Sequence, residues 1–264
     1  MASDADEVVV DLEDAVAPDR KDEARDAVRR LVVDGAGPRL AVRVNPLDGP
    51  WGRLDLEAVA GSSARISSVV LPKAERVDDL LGVEHELTRL HEGRLDGVPT
   101  IQALVETAAG VTGLPALVRG SRLLEGLVIG YADLAASLGR RGAADPSSWS
   151  YVQQAVLLAA RSAGIHAVDG PYLGTQDDEG FRAAVRIVAD AGFDAKWVIH
   201  PQQLASVNAA LAPTPEELSH ARRVVDALGE AHGAGSGALS LDGQLVDEAM
   251  AVAARRVLAR AAHA

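Results

Sequence analysis

Seven short apolar runs, separated by longer stretches with helical periodicity, constrain the fold of this 264-residue chain more than any other feature. Each run is almost continuously apolar, which is typical of parallel strands covered on both faces. The runs are residues 8–12, 40–44, 67–71, 99–105, 124–129, 165–168 and 196–199, and the clearest helical stretches are residues 19–33, 76–91, 148–163 and 176–191. This rhythm predicts a parallel α/β sheet, either doubly wound or closed into a barrel.

Residues with strong positional preferences mark the ends of the predicted helices. Polar residues that commonly start helices are Asp19, Asp55, Thr107 and Thr175, and glycines that commonly end them are Gly35, Gly164 and Gly192. We expect helices to begin and end near these positions.

The residues that follow the strands decide between the two sheet types. No G-x-G-x-x-G turn follows an early strand, so the signature of a doubly wound dinucleotide fold is missing from the sequence. Ionisable residues follow the strands instead, namely Asp11, Glu13, Asp14, Arg43, Lys73, Glu106, Asp133, Asp169 and His200. Barrels assemble their active sites at the C-terminal ends of many strands. We therefore predict a TIM-type (β/α)8 barrel, with seven of its eight strands accounted for.

The pattern changes after Pro213. A helix running to about residue 232 is predicted, because Thr214 is a capping residue, Pro215 suits the first helical position and two acids follow. A glycine-rich segment, a short strand at residues 238–241 and a final helix at residues 246–261 come next. The sequence thus predicts a barrel domain of residues 1–212 and a C-terminal helical extension of residues 213–264.

Composition excludes several functional classes. Acidic residues outnumber basic ones by 38 to 26, and only 3% of residues are aromatic, which argues against a nucleic-acid partner. The chain has no cysteine, so disulfides, thiolate catalysis and cysteine-ligated metals are excluded. No apolar run reaches the roughly 20 residues of a membrane span, and the N-terminus lacks a signal-peptide pattern. We expect a cytoplasmic globular protein without a membrane partner.

Two acidic residues form a candidate metal site. Glu106 ends one predicted strand and Asp133 lies just after the next. A single acid at such a position is more often a solvated helix-start residue, but two on neighbouring strands can bind one hard cation. Magnesium suits this arrangement, because water and substrate oxygens can complete its coordination.

Arg43 interrupts a strongly apolar strand. Its planar guanidinium suits a substrate carboxylate or a developing oxyanion, and it suits equally an internal ion pair with Glu13 or Asp14. Both interpretations can hold at once.

Lys73 is one of three lysines in a chain with 23 arginines. It could serve as a Schiff-base nucleophile, as a point charge balancing nearby carboxylates, or as an ordinary surface residue. We favour the point charge, because Asp11, Glu13 and Asp14 supply counter-charges. His200 is expected to be structural, and the other histidines show no metal-ligand spacing.

The ordered set of motifs is similar to a known family. The motifs are Asp11-Leu12-Glu13-Asp14-Ala15-Val16, Lys21 with Ala24-Arg25, Val42-Arg43-Val44-Asn45, Leu71-Pro72-Lys73, Ala103-Leu104-Val105-Glu106-Thr107, Asp133-Leu134 with Leu138-Gly139, Val198-Ile199-His200-Pro201-Gln202, and Gly243-Gln244-Leu245-Val246-Asp247. Together they span nearly the whole chain. They resemble the HpcH/HpaI aldolase/citrate lyase family, in its branch of citrate lyase beta subunits and malyl-CoA lyases.

The resemblance implies a fold, an assembly and a reaction. Members of that family are (β/α)8 barrels with a C-terminal helical extension, usually homotrimers or hexamers. They cleave or form carbon–carbon bonds between a CoA or carrier-protein thioester and a 2-oxo acid, using Mg2+. The implied partners of this chain are therefore an acyl-CoA thioester, a 2-oxo acid and further copies of itself.

The resemblance also implies roles for individual residues. Glu106 and Asp133 would bind the metal, Arg43 would bind the oxo acid, and Asp247 of a neighbouring subunit would be the acid/base at the thioester α-carbon. Glu13, Asp14 and Lys73 would form a supporting polar shell. The implied catalytic residues are Arg43, Asp247, Glu13 and Lys73, and the implied substrate-binding residues are Arg43, Glu106, Asp14 and Pro201.

The sequence departs from the family pattern in two ways. Relatives usually begin with a strand and a helix that precede the first strand here, which indicates either a late start site or an incomplete barrel. Ala132 stands where relatives often carry Glu or Asn. The leading prediction is a lyase of the malyl-CoA, citramalyl-CoA or citryl type. The alternatives are the citryl carrier-protein lyase subunit of a citrate lyase complex and a non-catalytic binding homologue.

Overall fold

The computed structural model describes residues 4–32, 37–93, 97–140, 146–233 and 235–261. The chain divides into two compact units, Met1–Ser206 and Val207–Ala264. The boundary predicted after residue 212 lies a few residues beyond this division.

The first unit is built on a seven-stranded parallel sheet whose strands follow chain order. The strands are β1 (Glu7–Asp11), β2 (Arg39–Arg43), β3 (Ser68–Leu71), β4 (Thr100–Val105), β5 (Leu124–Ile129), β6 (His166–Asp169) and β7 (Ala195–Lys196). The helices are α1 (Lys21–Arg29), α2 (Gly52–Ala60), α3 (Val77–Leu90), α4 (Ala108–Leu117), α5 (Tyr131–Ser137), α6 (Ser150–Ala163), α7 (Glu179–Ala191) and α8 (Leu204–Leu211), the last of which contains the unit boundary. The predicted parallel α/β sheet is confirmed, and only the seventh strand is clearly shorter than expected.

One predicted helix start and two predicted helix stops are confirmed. The hydroxyl of Thr107 accepts from the Gly110 N–H at 3.0 Å and caps α4. Gly164 and Gly192 end α6 and α7 with φ of 70° and 96°, a left-handed conformation that glycine adopts without steric cost.

The other three predicted helix starts are displaced from the observed ones. Thr175 does not start α7, because Asp178 accepts from the Phe181 N–H at 2.8 Å and caps the helix three residues later. Asp55 lies inside α2 and is fully buried, because its side chain bonds inward rather than to the helix end. Asp19 lies in a short 3-10 turn, Pro18–Arg20, that precedes α1. The predicted end of the first helical stretch, at residue 33 and Gly35, lies outside the described residues.

The two faces of the sheet pack differently. One face, including Val42, Val69 and Leu127, packs in the main core with the helices. The other face forms a separate apolar cluster to which every strand contributes one residue: Val9, Ala41, Val70, Leu104, Val128, Val168 and Ala195. Side chains from all seven strands can share one cluster only if the sheet is curled toward that face. The curled sheet is consistent with a TIM-like barrel.

The apolar cluster separates two polar ends of the curled sheet. At the N-terminal ends of the strands, Gln102 donates to Glu7 at 2.7 Å, to Ser68 at 3.0 Å and to Glu125 at 3.1 Å. Arg39 donates to both oxygens of Glu125 at 2.9 Å. These groups satisfy one another's hydrogen-bonding capacity. The predicted site lies at the opposite end, where the strands have their C-termini.

The second unit contains α9 (Pro215–Gly233), an antiparallel hairpin of β8 (Leu239–Leu241) and β9 (Gln244–Val246), and α10 (Glu248–Ala261). The final helix begins two residues later than predicted, because Val246 pairs with Leu239 in the hairpin. The turn residues Asp242 and Gly243 both have positive φ, as a two-residue type I′ hairpin requires. In the described part of the chain, no helix is both long and apolar enough to cross a membrane.

Candidate active site

Strand register brings Arg43 against Asp11. The two residues are paired across β1 and β2. Arg43 Nε donates to Asp11 Oδ1 at 2.8 Å, and its Nη2 donates to the other oxygen of the same carboxylate. Burial opposes ionisation of Asp11, but the hydrogen bonds from Arg43 and from backbone N–H groups outweigh it and lower its pKa. This bidentate pair fixes one edge of the guanidinium.

The third nitrogen of Arg43 reaches Glu13. Its Nη1 lies 2.9 Å from Glu13 Oε2, in an ion pair rather than a well-directed hydrogen bond. The predicted internal pair is therefore made with Glu13, and also with Asp11, which was predicted as a counter-charge to Lys73 but pairs with Arg43 instead because strand register sets the two side by side. Asp14 makes no such pair, because its side chain points outward and is exposed beyond the end of β1.

Lys73 lies among three carboxylates. Its Nζ donates to Glu13 Oε1 at 2.8 Å and lies 3.8 Å from Glu106 Oε1 and 3.9 Å from Asp133 Oδ1. Burial lowers the pKa of Lys73, but hydrogen bonding to Glu13 and the charges of all three acids outweigh it and raise the pKa. The ammonium stays protonated, which fits a point charge better than a Schiff-base nucleophile.

Glu106 is the most buried acid of the cluster, with 2% of its surface exposed. Burial raises its pKa to about 7, the Lys73 N–H and charge oppose the rise, and Asp133 and Glu13 add to it. The side chain fits because Gly130 stands opposite. A Cβ at that position would lie 2.5 Å from both Cβ and Oε2 of Glu106.

The charges at this end of the sheet do not cancel. Among the described residues, four carboxylates, from Asp11, Glu13, Glu106 and Asp133, face two cations, Arg43 and Lys73. When Glu106 is ionised, the excess is two negative charges, which fits a divalent cation. No group of three or more His, Asp or Glu side chains in the described ranges has the arrangement of a ready-made metal site. Glu106 and Asp133 could therefore hold a magnesium ion only with water or substrate oxygens beside them.

A buried hydrogen-bond network, to which the sequence analysis assigned no role, supports the end of β1. Lys21 Nζ donates to the carbonyls of Leu12 and Glu13, both at 2.7 Å, and to Asn45 at 2.9 Å. Asp55 accepts from the Asn45 N–H at 2.8 Å and from Arg25 at 3.0 Å. The signal in the sequence is the i, i+4 spacing of the two bases, which places both on the same face of α1.

The remaining predicted site residues are Pro201, Asp14 and Asp247. Pro201 is exposed in a 3-10 turn after β7, where His200 accepts from the Gln202 N–H at 3.3 Å. No hydrogen bond or ion pair among the described residues joins Pro201 or Asp14 to the cluster. Asp247 belongs to the second unit, where it accepts from the Met250 N–H at 3.2 Å and caps α10.

Comparison with known proteins gives a consistent result. The family model for HpcH/HpaI aldolase/citrate lyase matches residues 1–201. A (3S)-malyl-CoA thioesterase of Cereibacter sphaeroides is 38% identical over 97% of this chain and 87% of its own length, and the citrate lyase subunit beta of Escherichia coli K12 is 36% identical over 97% and 86%. The crystal structure of CitE from Mycobacterium tuberculosis with magnesium, acetoacetate and coenzyme A superposes with a TM-score of 0.77. It is 33% identical and covers 98% of this chain and 90% of that one.

Proposed function

Because the chain belongs to the HpcH/HpaI aldolase/citrate lyase family, we propose that it is a Mg2+-dependent carbon–carbon lyase. Its substrate is a 3-hydroxyacyl-CoA thioester of the malyl, citramalyl or citryl type, which it cleaves to, or forms from, an acyl-CoA and a 2-oxo acid. The observation that carries the proposal is the position of Glu106 and Asp133. Both lie within 3.9 Å of one ammonium group in a cluster with two excess negative charges.

Glu106 and Asp133 are the residues that would hold magnesium. The CitE structure of Mycobacterium tuberculosis contains magnesium together with acetoacetate, an oxo acid. Bound magnesium supplies Lewis-acid polarisation of the oxo-acid carbonyl. Lys73 and Glu13 keep the cluster in place, because the ammonium bridges Glu13 to both proposed ligands.

Arg43 is the residue that we propose binds the oxo acid. Asp11 occupies Nε and one N–H of Nη2, and Glu13 lies 2.9 Å from Nη1, so the outer N–H of Nη2 remains to donate to a substrate oxygen. In the bond-forming direction, Asp247 removes a proton from the thioester α-carbon, and that carbon then bonds to the carbonyl carbon of the oxo acid. Negative charge moves onto the carbonyl oxygen, where Arg43 stabilises it.

The proposal extends to the assembly and the fold. We propose a homotrimer or hexamer in which Asp247 of one subunit serves the site of its neighbour. We also propose a barrel domain of residues 1–212 with a C-terminal extension of residues 213–264, a TIM-type (β/α)8 architecture to which this chain contributes seven strands, and a cytoplasmic location. Asp14 and Pro201, both exposed beyond strand ends, are proposed to contact substrate rather than protein.

A second candidate function is thioester hydrolysis. It is favoured by the 38% identity to a protein named (3S)-malyl-CoA thioesterase. That reaction places water at the thioester carbonyl and releases free CoA instead of a 2-oxo acid. The similarity to citrate lyase subunit beta supports a third candidate function, in which the lyase substrate is a thioester of a carrier protein instead of CoA.

One assay separates these functions. The protein is incubated with Mg2+ and a panel of malyl, citramalyl and citryl thioesters of CoA, and separately with a citryl carrier-protein thioester, and both 2-oxo acid and free thiol are measured. A lyase yields oxo acid without free thiol, whereas a thioesterase yields free thiol without oxo acid. We expect the first result, abolished by EDTA and by Glu106→Gln. Release of neither product from the CoA panel would contradict the proposal, and turnover of only the carrier-protein thioester would support the citryl lyase version.

A further inference from the structure

The helix that carries Asp133 is short and has one fully buried residue. Helix α5 contains seven residues, and only Leu134 among them is buried. Asp133 lies in its first turn with 39% of its side chain exposed. Leu134, together with Tyr131 and Ala135, packs α5 against the main core, whereas Asp133 itself lies outside that packing.

Tyr131, the first residue of α5, attaches the helix to its neighbours. Its hydroxyl donates to Asp169 at the end of β6 and accepts from Gln153 of α6 at 2.8 Å. Its ring lies against Trp149, with 4.9 Å between the ring centroids.

Asp169 is itself held by Lys196 of β7. The ammonium donates to Asp169 Oδ2 and to the Gly170 carbonyl, the latter at 2.6 Å. Both side chains are only 2% exposed. A lysine suits this space because its compact ammonium can donate to a carboxylate and a carbonyl in different directions, whereas a guanidinium is larger and planar.

We propose that Tyr131, Asp169 and Lys196 are positioning residues that hold the first turn of α5, and with it Asp133, in the geometry that binds the divalent cation. The inference rests on the proposed function of the site and adds to it three residues that touch neither metal nor substrate. Magnesium requires near-ideal ligand geometry, and loss of a residue that orients a ligand typically weakens metal binding 10- to 100-fold.

The test is metal affinity without substrate. Mn2+ binding is measured by electron paramagnetic resonance for the wild type, Tyr131→Phe and the matched control Tyr151→Phe, which removes a hydroxyl from a tyrosine that is 76% exposed on α6. We expect Tyr131→Phe to bind Mn2+ about tenfold or more weakly, and Tyr151→Phe to match the wild type within twofold. Tyr131→Phe binding as tightly as the wild type would overturn the inference.

Two further measurements separate the possible failures. If Glu106→Gln binds Mn2+ as well as the wild type, the proposed metal site is wrong, and this inference falls with it. If Glu106→Gln loses binding and Tyr131→Phe does not, only this inference is wrong. Amide hydrogen exchange supplies a readout independent of metal: Tyr131→Phe should exchange faster in α5 than the wild type, with no change in α4. Unchanged exchange in α5 counts against the inference.

Discussion

The backbone N–H and the side-chain ammonium of Lys73 face the same oxygen of Glu106. The N–H donates to Oε1 at 2.9 Å, and Nζ lies 3.8 Å from that atom. Lys73 has φ of 49°, a left-handed conformation that costs a non-glycine residue about 1–2 kcal/mol. Strain of this kind concentrates at functional sites, and here it accompanies the double contact that keeps a buried carboxylate partly ionised at neutral pH.

We predict that metal affinity depends on the ionisation of Glu106. Its pKa of about 7 means that metal binding displaces a proton below neutral pH. The apparent Mg2+ affinity should therefore fall by up to about tenfold for each pH unit below 7 and level off above about pH 8. Isothermal titration with Mg2+ from pH 5.5 to 8.5 measures this. A flat profile over that range would mean that Glu106 titrates elsewhere or does not bind the metal.

The same shift predicts a stability effect in the metal-free protein. The folded-state pKa of Glu106 lies above its ordinary value of 4.5, so the folded state binds the proton more tightly, and this residue's contribution to stability decreases as pH rises from about 4.5 to 7. Glu106→Gln removes the penalty, which is at most about 3 kcal/mol. Urea unfolding in EDTA should show that the free energy of unfolding of the variant, relative to that of the wild type, is higher at pH 8 than at pH 5. An equal difference at both values contradicts the prediction.

Arg43→Lys should reduce turnover by about 100-fold or more, because an ammonium cannot pair with Asp11 and also present donors to the developing oxyanion. Arg39→Lys is the matched control. It lies at the other end of the same strand, and its side chain is 49% exposed. The control should keep kcat within about twofold. Steady-state kinetics compare the two, and similar losses in both would indicate a general effect on β2 instead of a role in the site.

Gly130→Ala should displace Glu106. The added Cβ would meet the Glu106 Cβ and Oε2 at 2.5 Å, so the carboxylate must move. We expect a loss of about 1–3 kcal/mol of stability and markedly weaker Mg2+ binding. Gly229→Ala, in α9 with no atom within 4 Å of the added Cβ, should be neutral or stabilising by up to about 1 kcal/mol. Urea unfolding and metal titration test both, and unchanged metal affinity in Gly130→Ala would be inconsistent with the proposed ligand.

Asp247→Asn should separate catalysis from structure. Asparagine caps helices as well as aspartate does, so the bond to the Met250 N–H is kept while the acid/base group is lost. We expect turnover to fall by about 100-fold to 10,000-fold with thermal stability nearly unchanged. Asp178→Asn makes the same change at the cap of α7 and should leave turnover intact. Full activity in Asp247→Asn would remove this residue from the mechanism.

The elements with continuous apolar patterns were predicted well from the sequence. Strands β2 to β5 lie within one residue of the predicted starts, because residues buried on both faces must be apolar throughout. The hairpin strand β9 was missed, although Asp242-Gly243 is a recognised turn signal. The start of α7 was misplaced because Thr175 and Asp178 are both acceptable caps, and only the path of the chain after β6 selects the second.

The sequence by itself determined the order of strands and helices and the presence of ionisable residues at the strand ends, because both follow from local patterns of burial and charge. Only the tertiary structure decided which charges meet. Asp11 pairs with Arg43 through the register of β1 and β2, and Asp14 does not. Lys21 bonds to the Asn45 side chain and Lys196 to the Gly170 carbonyl, 24 and 26 residues away along the chain. These choices depend on strand register and side-chain direction across the curled sheet, and a change of one residue in register would reverse them.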